Sequence, residues 1–298
     1  MTENTFNFVT QTHEGNSEAV ICQSIMISKL YPESEFYVYD GGLSQSTKDK
    51  LSDHTNTNII DWKKQADFSR NFGTFQDILT QIESKIKSNN YTDFLVGKLL
   101  DYDYTHKDIT QFDFYVRQKP NSILDLTRRV DGPIIWMDDD AIIINHIDKV
   151  LQHEFDVGVT VRSKYASKYQ PYSPVNSGVI IFNTNSISTR KFTEKWLDVI
   201  ENSELSKFRE QNAVEHILRE SNENIFDSYY NIGNIKVRST QLKAITLPCY
   251  KYNHFVFNYG INPSKNKILH FKSDYLDKDV NKELLDDIMS GDLSEWQR

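Results

Sequence analysis

Apolar residues along this chain gather in short runs separated by polar loops, and between those runs lie longer stretches with helical spacing. Phe6-Asn-Phe8-Val9 predicts a strand that opens into the polar loop Thr10 to Gly15. Ser17 is placed as a helix N-cap, and Ala19 to Leu30 reads as a mostly buried helix stopped by Tyr31-Pro32. Phe36 to Tyr39 makes a second strand, which completes a βαβ unit, and Asn58 to Trp62 a third. Strands that end in polar loops predict an α/β chain: a central, mostly parallel sheet flanked by helices, with the ligand at the C-terminal edge of its strands.

Further along, Thr74 caps a helix whose apolar face is Phe75, Ile78, Leu79, Ile82 and Ile86. Phe94 to Val96 reads equally as a strand or as the start of a helix, and Asp101 and Asp103 as solvated surface acids. Ser122 to Leu126 predicts a helix. Asp156 to Thr160 and Val175 to Asn183 predict strands. The polar, Tyr- and Lys-rich stretch Arg162 to Tyr172 between them is either a loop that closes over substrate or a surface connection. Phe192, Trp196, Val199 and Ile200 mark one face of a helix, and Glu210 opens another that runs to Leu218. Lys267 to Lys272 is a short late strand, and a C-terminal helix capped by Asn281 carries Leu284, Leu285, Ile288 and Met289.

Length and composition narrow the classes. The 298 residues contain no linker-like stretch, so one domain over 1–298 is expected, with halves of about 1–145 and 146–298. A net charge of -8 supplies no basic field for a polyanion, which disfavours a nucleic-acid partner. Cys22 and Cys249 stand far apart with no metal-type spacing, as buried thiols of a reducing compartment would. The N-terminus lacks a basic and then apolar leader, and no long apolar run occurs. The expectation is a soluble cytoplasmic chain without a transmembrane segment, with peripheral attachment to a membrane left open.

The candidate chemistry lies in Asp131-Gly-Pro-Ile-Ile-Trp136-Met137-Asp138-Asp139-Asp140-Ala141-Ile-Ile-Ile144, an apolar run interrupted by three acids. Carboxylates at the end of a buried strand can hold a divalent cation against phosphate oxygens, and a hard ion such as Mn²⁺ or Mg²⁺ also accepts one imidazole. Asn176-Ser177-Gly178 and His270 complete the constellation. An Asp-x-Asp pair alone carries little weight in so acidic a chain; its apolar frame and its companions raise it.

These motifs resemble a GT-A-fold glycosyltransferase, nearest the glycogenin-like and galactosyltransferase-like retaining group (glycosyltransferase family 8-like). The resemblance rests on Ile134 to Asp140, on Asn176 to Val179, on Glu210-Gln211 where the family has an Asp-Gln pair, and on Ile268 to Phe271. Lys119-Pro120 also resembles a Lys-Pro that precedes the acidic strand in some sugar transferases. It implies that Asp138, Asp140 and His270 hold Mn²⁺ (or Mg²⁺). Thr10, Gln11 and Thr12 would line the base pocket, and Asn176, Ser177, Gly178 and Gln211 would serve the donor sugar. Lys119 and Lys272 are the candidates for phosphate, Glu210 for a base or donor-face stabiliser, and Asp139 for orienting its neighbours. The implied reaction moves a hexose from a nucleoside-diphosphate sugar, UDP commonest, to a saccharide, glycolipid or protein acceptor with retention. Two departures from the pattern stand out: Glu210 replaces Asp, and Lys272-Ser-Asp follows His270-Phe271 where the family has a glycine and then Lys-Pro-Trp.

Two other classes compete. Phosphotransfer enzymes of the haloacid dehalogenase type also place Asp-x-Asp after an apolar strand, but they need a small hydroxyl residue just beyond it, where this chain has Ala141-Ile-Ile. A catalytically inactive sugar- or nucleotide-binding module of the same fold is the remaining alternative, and donor turnover discriminates it.

Overall fold

The computed structural model describes residues 5–54, 56–61, 118–162, 173–183, 187–202, 209–256, 261–262, 264–271 and 279–291. The helix expected after Thr74, the 94–96 run, Asp101, Asp103, most of the polar loop after Arg162, and Lys272 lie outside them. The chain divides into two compact units, one of Met1–Ile60 with Pro120–Arg298 and one of Asp61–Lys119. In the second unit only Asp61, Gln118 and Lys119 are described; Gln118 and Lys119 are helical.

The first unit is built on a mostly parallel sheet of eight strands in the order β3-β2-β1-β4-β7-β6-β9-β8. These are β1 (Asn7–Thr12), β2 (Glu35–Asp40), β3 (Thr57–Asp61), β4 (Ile134–Met137), β6 (Val157–Val161), β7 (Val175–Phe182), β8 (Ile232–Val237) and β9 (Thr240–Pro248). Pairing makes β1, β2, β4, β6 and β9 run one way, with β7 and β8 against them. Helix α1 (Ser17–Leu30) joins β1 to β2 and buries residues on most of its circumference, as a helix inside the core must. β1 runs to Thr12, three residues past the expected end, and is buried throughout. Thr10, Gln11 and Thr12 therefore belong to a strand, paired there with Val38 to Asp40 of β2, not to a loop.

A second sheet, β10-β11-β5, contains β5 (Ala141–Ile143), β10 (His254–Phe255) and β11 (Ile268–His270). The apolar run around the acids thus splits. Ile134 to Met137 pair with β1 and β7 in the large sheet, and Ala141 to Ile143 pair antiparallel with β11 in the small one. Asp138, Asp139 and Asp140 make the corner between the two sheets, closed by the Ala141 N–H donating to the Asp138 carbonyl at 2.9 Å.

The β8–β9 hairpin goes unread in the sequence, although β8 alternates exposed and buried residues as a half-solvated strand should. The C-terminal helix starts at Asp279, so Asn281 stands inside it rather than at its cap. Cys22 is buried but Cys249 is only half-buried, which departs from the expected pair of buried thiols.

Candidate functional site

Strand β4 ends with its apolar residues fully enclosed, and burial of each such side chain is worth about 1.5–3 kcal/mol. That anchors the acids that follow. The Trp136 indole N–H donates to Asp138 Oδ1 at 2.9 Å, while the Asp138 N–H donates to the Gly178 carbonyl at 2.8 Å. From beneath, the buried Gln23 of α1 donates through Nε2 to the carbonyls of Asp138 and Ala141, both at 2.6 Å. The corner is thereby held by side chains from two elements and by the backbone of a third.

His270 reaches this corner through strand pairing. It stands opposite Ala141 in the β5–β11 ladder, and the Phe271 N–H donates to the Asp140 carbonyl at 2.9 Å. His270 Nε2 lies 2.9 Å from Asp140 Oδ1. One ligand atom each from Asp138, Asp140 and His270 fall within 4.8 Å of one another. Two ligands at about 2.1–2.4 Å from a shared cation are separated by at most about twice that, so the spacing fits one ion, and the two oxygens and one imidazole suit a hard or borderline divalent cation.

Gly178 explains part of the Asn-Ser-Gly segment. A Cβ there would lie 2.5 Å from His270 Cε1 and 3.2 Å from Asp138 Oδ2. Only glycine lets the β7 backbone pass this close beneath the imidazole. Asn176 Oδ1 accepts the Gly178 N–H at 3.1 Å, so Asn176 shapes the same segment.

On the other side of that segment, Ser177 Oγ donates to Glu210 Oε1 at 3.3 Å. Glu210 opens the helix Arg209–Ser221 and is held by backbone as well, its carbonyl accepting the Trp196 indole N–H at 2.9 Å. Glu210 Oε2 is buried without a hydrogen-bond partner. Beside it, Gln211 Oε1 accepts from Arg162 Nη2 at 3.0 Å, and Arg162 Nη1 also donates to the Ser173 and Val175 carbonyls. The segment Asn176 to Gly178 thus connects two groups of side chains, His270 with the acids and Glu210 with Gln211.

Asp139 is not part of the Asp138–Asp140–His270 group. Desolvation, reinforced by the neighbouring Asp140 charge, pushes its carboxyl up to about 8, against the opposing influence of the nearby Asn16 and Thr12 side chains. Thr12 is therefore brought to the acidic corner through Asp139. Thr10 is buried in β1 with its hydroxyl unpartnered, and Gln11 is buried in the same strand. Lys119 is buried in the second unit, and Lys272 is outside the described residues.

Four residues at this site escape the sequence reading: Gln23, Thr160, Arg162 and Asn253. Thr160 is a polar residue within an otherwise apolar strand, a mismatch that flags it, whereas Gln23 stands beside Ser24 in the helix and is not singled out. Arg162 was read only as the start of a loop, and nothing local distinguishes Asn253.

Among the described residues no helix is long and apolar enough to cross a membrane. No family model matches the sequence, and no curated protein does. Solved structures do resemble the fold. An active-site glutamine-to-glutamate mutant of LgtC matches with a TM-score of 0.51 and 10% identity over 96% of this chain and 95% of that one. The glycosyltransferase GlyE of Streptococcus pneumoniae TIGR4 matches with a TM-score of 0.52 and 12% identity over 98% of this chain and 63% of GlyE. The bifunctional glycosyltransferase WbbM gives 0.50 and 12% over 91% of this chain and 46% of WbbM. At such identities the likeness is one of architecture, and the architecture of this chain is the GT-A fold.

Proposed function

We propose that this protein is a divalent-cation-dependent glycosyltransferase that moves a hexose from a nucleoside-diphosphate sugar, UDP-linked in the first instance, to a hydroxyl acceptor with retention. The observation that carries the reading is the convergence of Asp138, Asp140 and His270 at the corner between two sheets, on a GT-A fold. Mn²⁺ or Mg²⁺ held there would supply Lewis-acid neutralisation of the departing diphosphate.

The chain's own residues do the rest in this reading. Asp138 and Asp140 present carboxylate oxygens and His270 presents Nε2. Thr10, Gln11 and Thr12 serve the nucleoside, with Asp139 orienting Thr12. Lys119 and Lys272 are the candidate phosphate cations. Asn176, Ser177 and Gly178 form the floor beneath the sugar, and Gln211, held by Arg162, faces it. Glu210 is the donor-face group: a buried carboxylate oxygen without a partner is a costly acceptor, and a sugar hydroxyl or a developing positive charge would satisfy it. In a retaining reaction a leaving-phosphate oxygen can take the acceptor proton, so no side-chain base is required. The half up to about residue 145 would bind the nucleotide, and the half from about 146, which also carries the donor-sugar residues, would lie on the acceptor side, the acceptor being a saccharide, glycolipid or protein.

The test is release of nucleoside diphosphate from a panel of nucleotide sugars with Mn²⁺, for the native chain, for Asp140→Ala and with chelator. Release from one donor, abolished by both treatments, is the expected result. Binding of a nucleotide sugar without release would instead identify a binding module, and release that survives chelation would overturn the metal role.

A further inference from the structure

His270 is gripped from behind. Its Nδ1 lies 2.7 Å from Asn253 Oδ1, and the Asn253 amide nitrogen lies 2.8 Å from Thr160 Oγ1 and 3.4 Å from the Asn176 carbonyl oxygen. Thr160 and Asn253 are fully buried, and His270 and Asn176 nearly so. Chemistry settles the direction of this relay. A carbonyl can only accept, so the Asn253 end that faces Asn176 must be the NH₂. Thr160 Oγ1 gives its proton to the Asn176 carbonyl at 2.6 Å and is therefore left to accept from Asn253. The Asn253 oxygen must then accept from His270, which puts a proton on Nδ1 and leaves Nε2, on the side of Asp140, as the nitrogen whose lone pair a bound cation would take.

The anchor of the relay is a break in the sheet. Pairing of β6 with β7 jumps from Val159–Ile180 to Thr160–Asn176, so Ser177, Gly178 and Val179 stand opposite no residue of β6. Thr160 Oγ1 bridges the break, lying 2.6 Å from the Asn176 carbonyl and 3.3 Å from that of Val179. A bulge re-aims what it carries. Here it sets Gly178 beneath the ring whose far side Asn253 holds.

We infer that Asn253, braced by Thr160 in this bulge, is a positioning residue that fixes the tautomer and ring plane of His270 and so sets the cation affinity of the Asp138–Asp140–His270 group. The inference rests on the proposed metal site. Partners of this kind on the second nitrogen of a ligand histidine typically change metal affinity by about 10–100-fold.

The test measures Mn²⁺ binding to the nucleotide-free chain, by loss of the free-ion electron paramagnetic resonance signal. The variants are Asn253→Asp, Asn253→Leu and Thr160→Val, each checked for folding by thermal unfolding without metal. Nitrogen NMR of the native chain reports whether His270 Nδ1 carries a proton. Asn253→Leu should bind about 10–100-fold more weakly. Asn253→Asp, which still accepts from Nδ1 but loses the amide donor toward Thr160 and Asn176, should bind more tightly than Asn253→Leu, and Thr160→Val should lose less than Asn253→Leu. A folded Asn253→Leu that binds like the native chain overturns the inference. If Asn253→Leu fails to fold, Thr160→Val decides, and native affinity in that variant overturns it too. A native chain that binds Mn²⁺ but carries no proton on His270 Nδ1 defeats the tautomer argument alone. A native chain that shows the Nδ1 proton but binds no Mn²⁺ defeats the metal reading, and the inference falls with it.

Discussion

The two sides of the Asn176–Gly178 segment differ in how their hydrogen bonds are filled. On one side both ring nitrogens of His270 have partners, and Asn253 and Thr160 behind it are bonded to one another and to backbone. On the other, Glu210 receives Ser177 and Gln211 on one oxygen and nothing on the other. A closed network fixes geometry in advance, which suits ligands that must all point at one cation. Under the proposed function, the open valence on Glu210 is the one that a substrate hydroxyl would fill. On the proposed reading the first side holds the cation and the second meets the substrate.

The most severe way to break this comparison is Asp140→Ala, which removes one ligand and the partner of His270 Nε2. Donor turnover should fall by about 10³-fold or more, and Mn²⁺ binding to the nucleotide-free chain should be lost with it. Glu210→Gln sharpens the contrast. It should lower kcat by about 10²-fold while leaving Mn²⁺ affinity at the native value. Equal loss of both would mean that the two sides act as one unit.

Gly178→Ala probes the segment between them. Its new methyl would press on a ring that Asn253 and Asp140 already hold, so the ring cannot swing away. Mn²⁺ affinity should fall by about tenfold and stability by about 1–3 kcal/mol, read by titration and by thermal unfolding. A variant as stable and as tight-binding as the native chain would show that the close approach is not needed.

The smallest effect is expected at an exposed carboxylate with its valences filled. Glu14 accepts the Ser44 N–H at 2.7 Å and the hydroxyls of Ser44 and Thr47, each at 2.9 Å. The Ser44 N–H, helped by those hydroxyls, holds its carboxyl below 4.5. A depressed carboxyl adds stability above its unfolded pKa and loses it as pH falls through the folded value. Glu14→Gln should therefore cost only about 1–2 °C at neutral pH and flatten the decline of the melting temperature below 4.5, as followed by circular dichroism.

Legibility followed the range of the forces involved. The βαβ start and β7 were readable because buried strands and a core helix impose local patterns that periodicity reports. The strand end at Thr10 to Thr12 was misread as loop because polar residues normally mark one. Here pairing with β2 carries the strand through them after its pairing with β4 has ended at Val9. The β9 strand was missed for a related reason: its early residues are polar and partly exposed, and its pairing partners β6 and β8 lie far off or in an unread hairpin.

By itself the sequence determined the α/β class, the apolar frame around the acids, and the candidacy of Asp138, Asp140 and His270, because each is written in a contiguous run of residues. Only the tertiary structure decided that the frame divides between two sheets, that Asp139 turns toward Thr12 and Asn16, and that Gly178 serves by leaving room. It alone brought Asn253 to His270 and Thr160 to Asn253. Those contacts join residues 17 and 93 positions apart, and no local pattern records them, because strand pairing and a bulge, not neighbouring residues, set the distances.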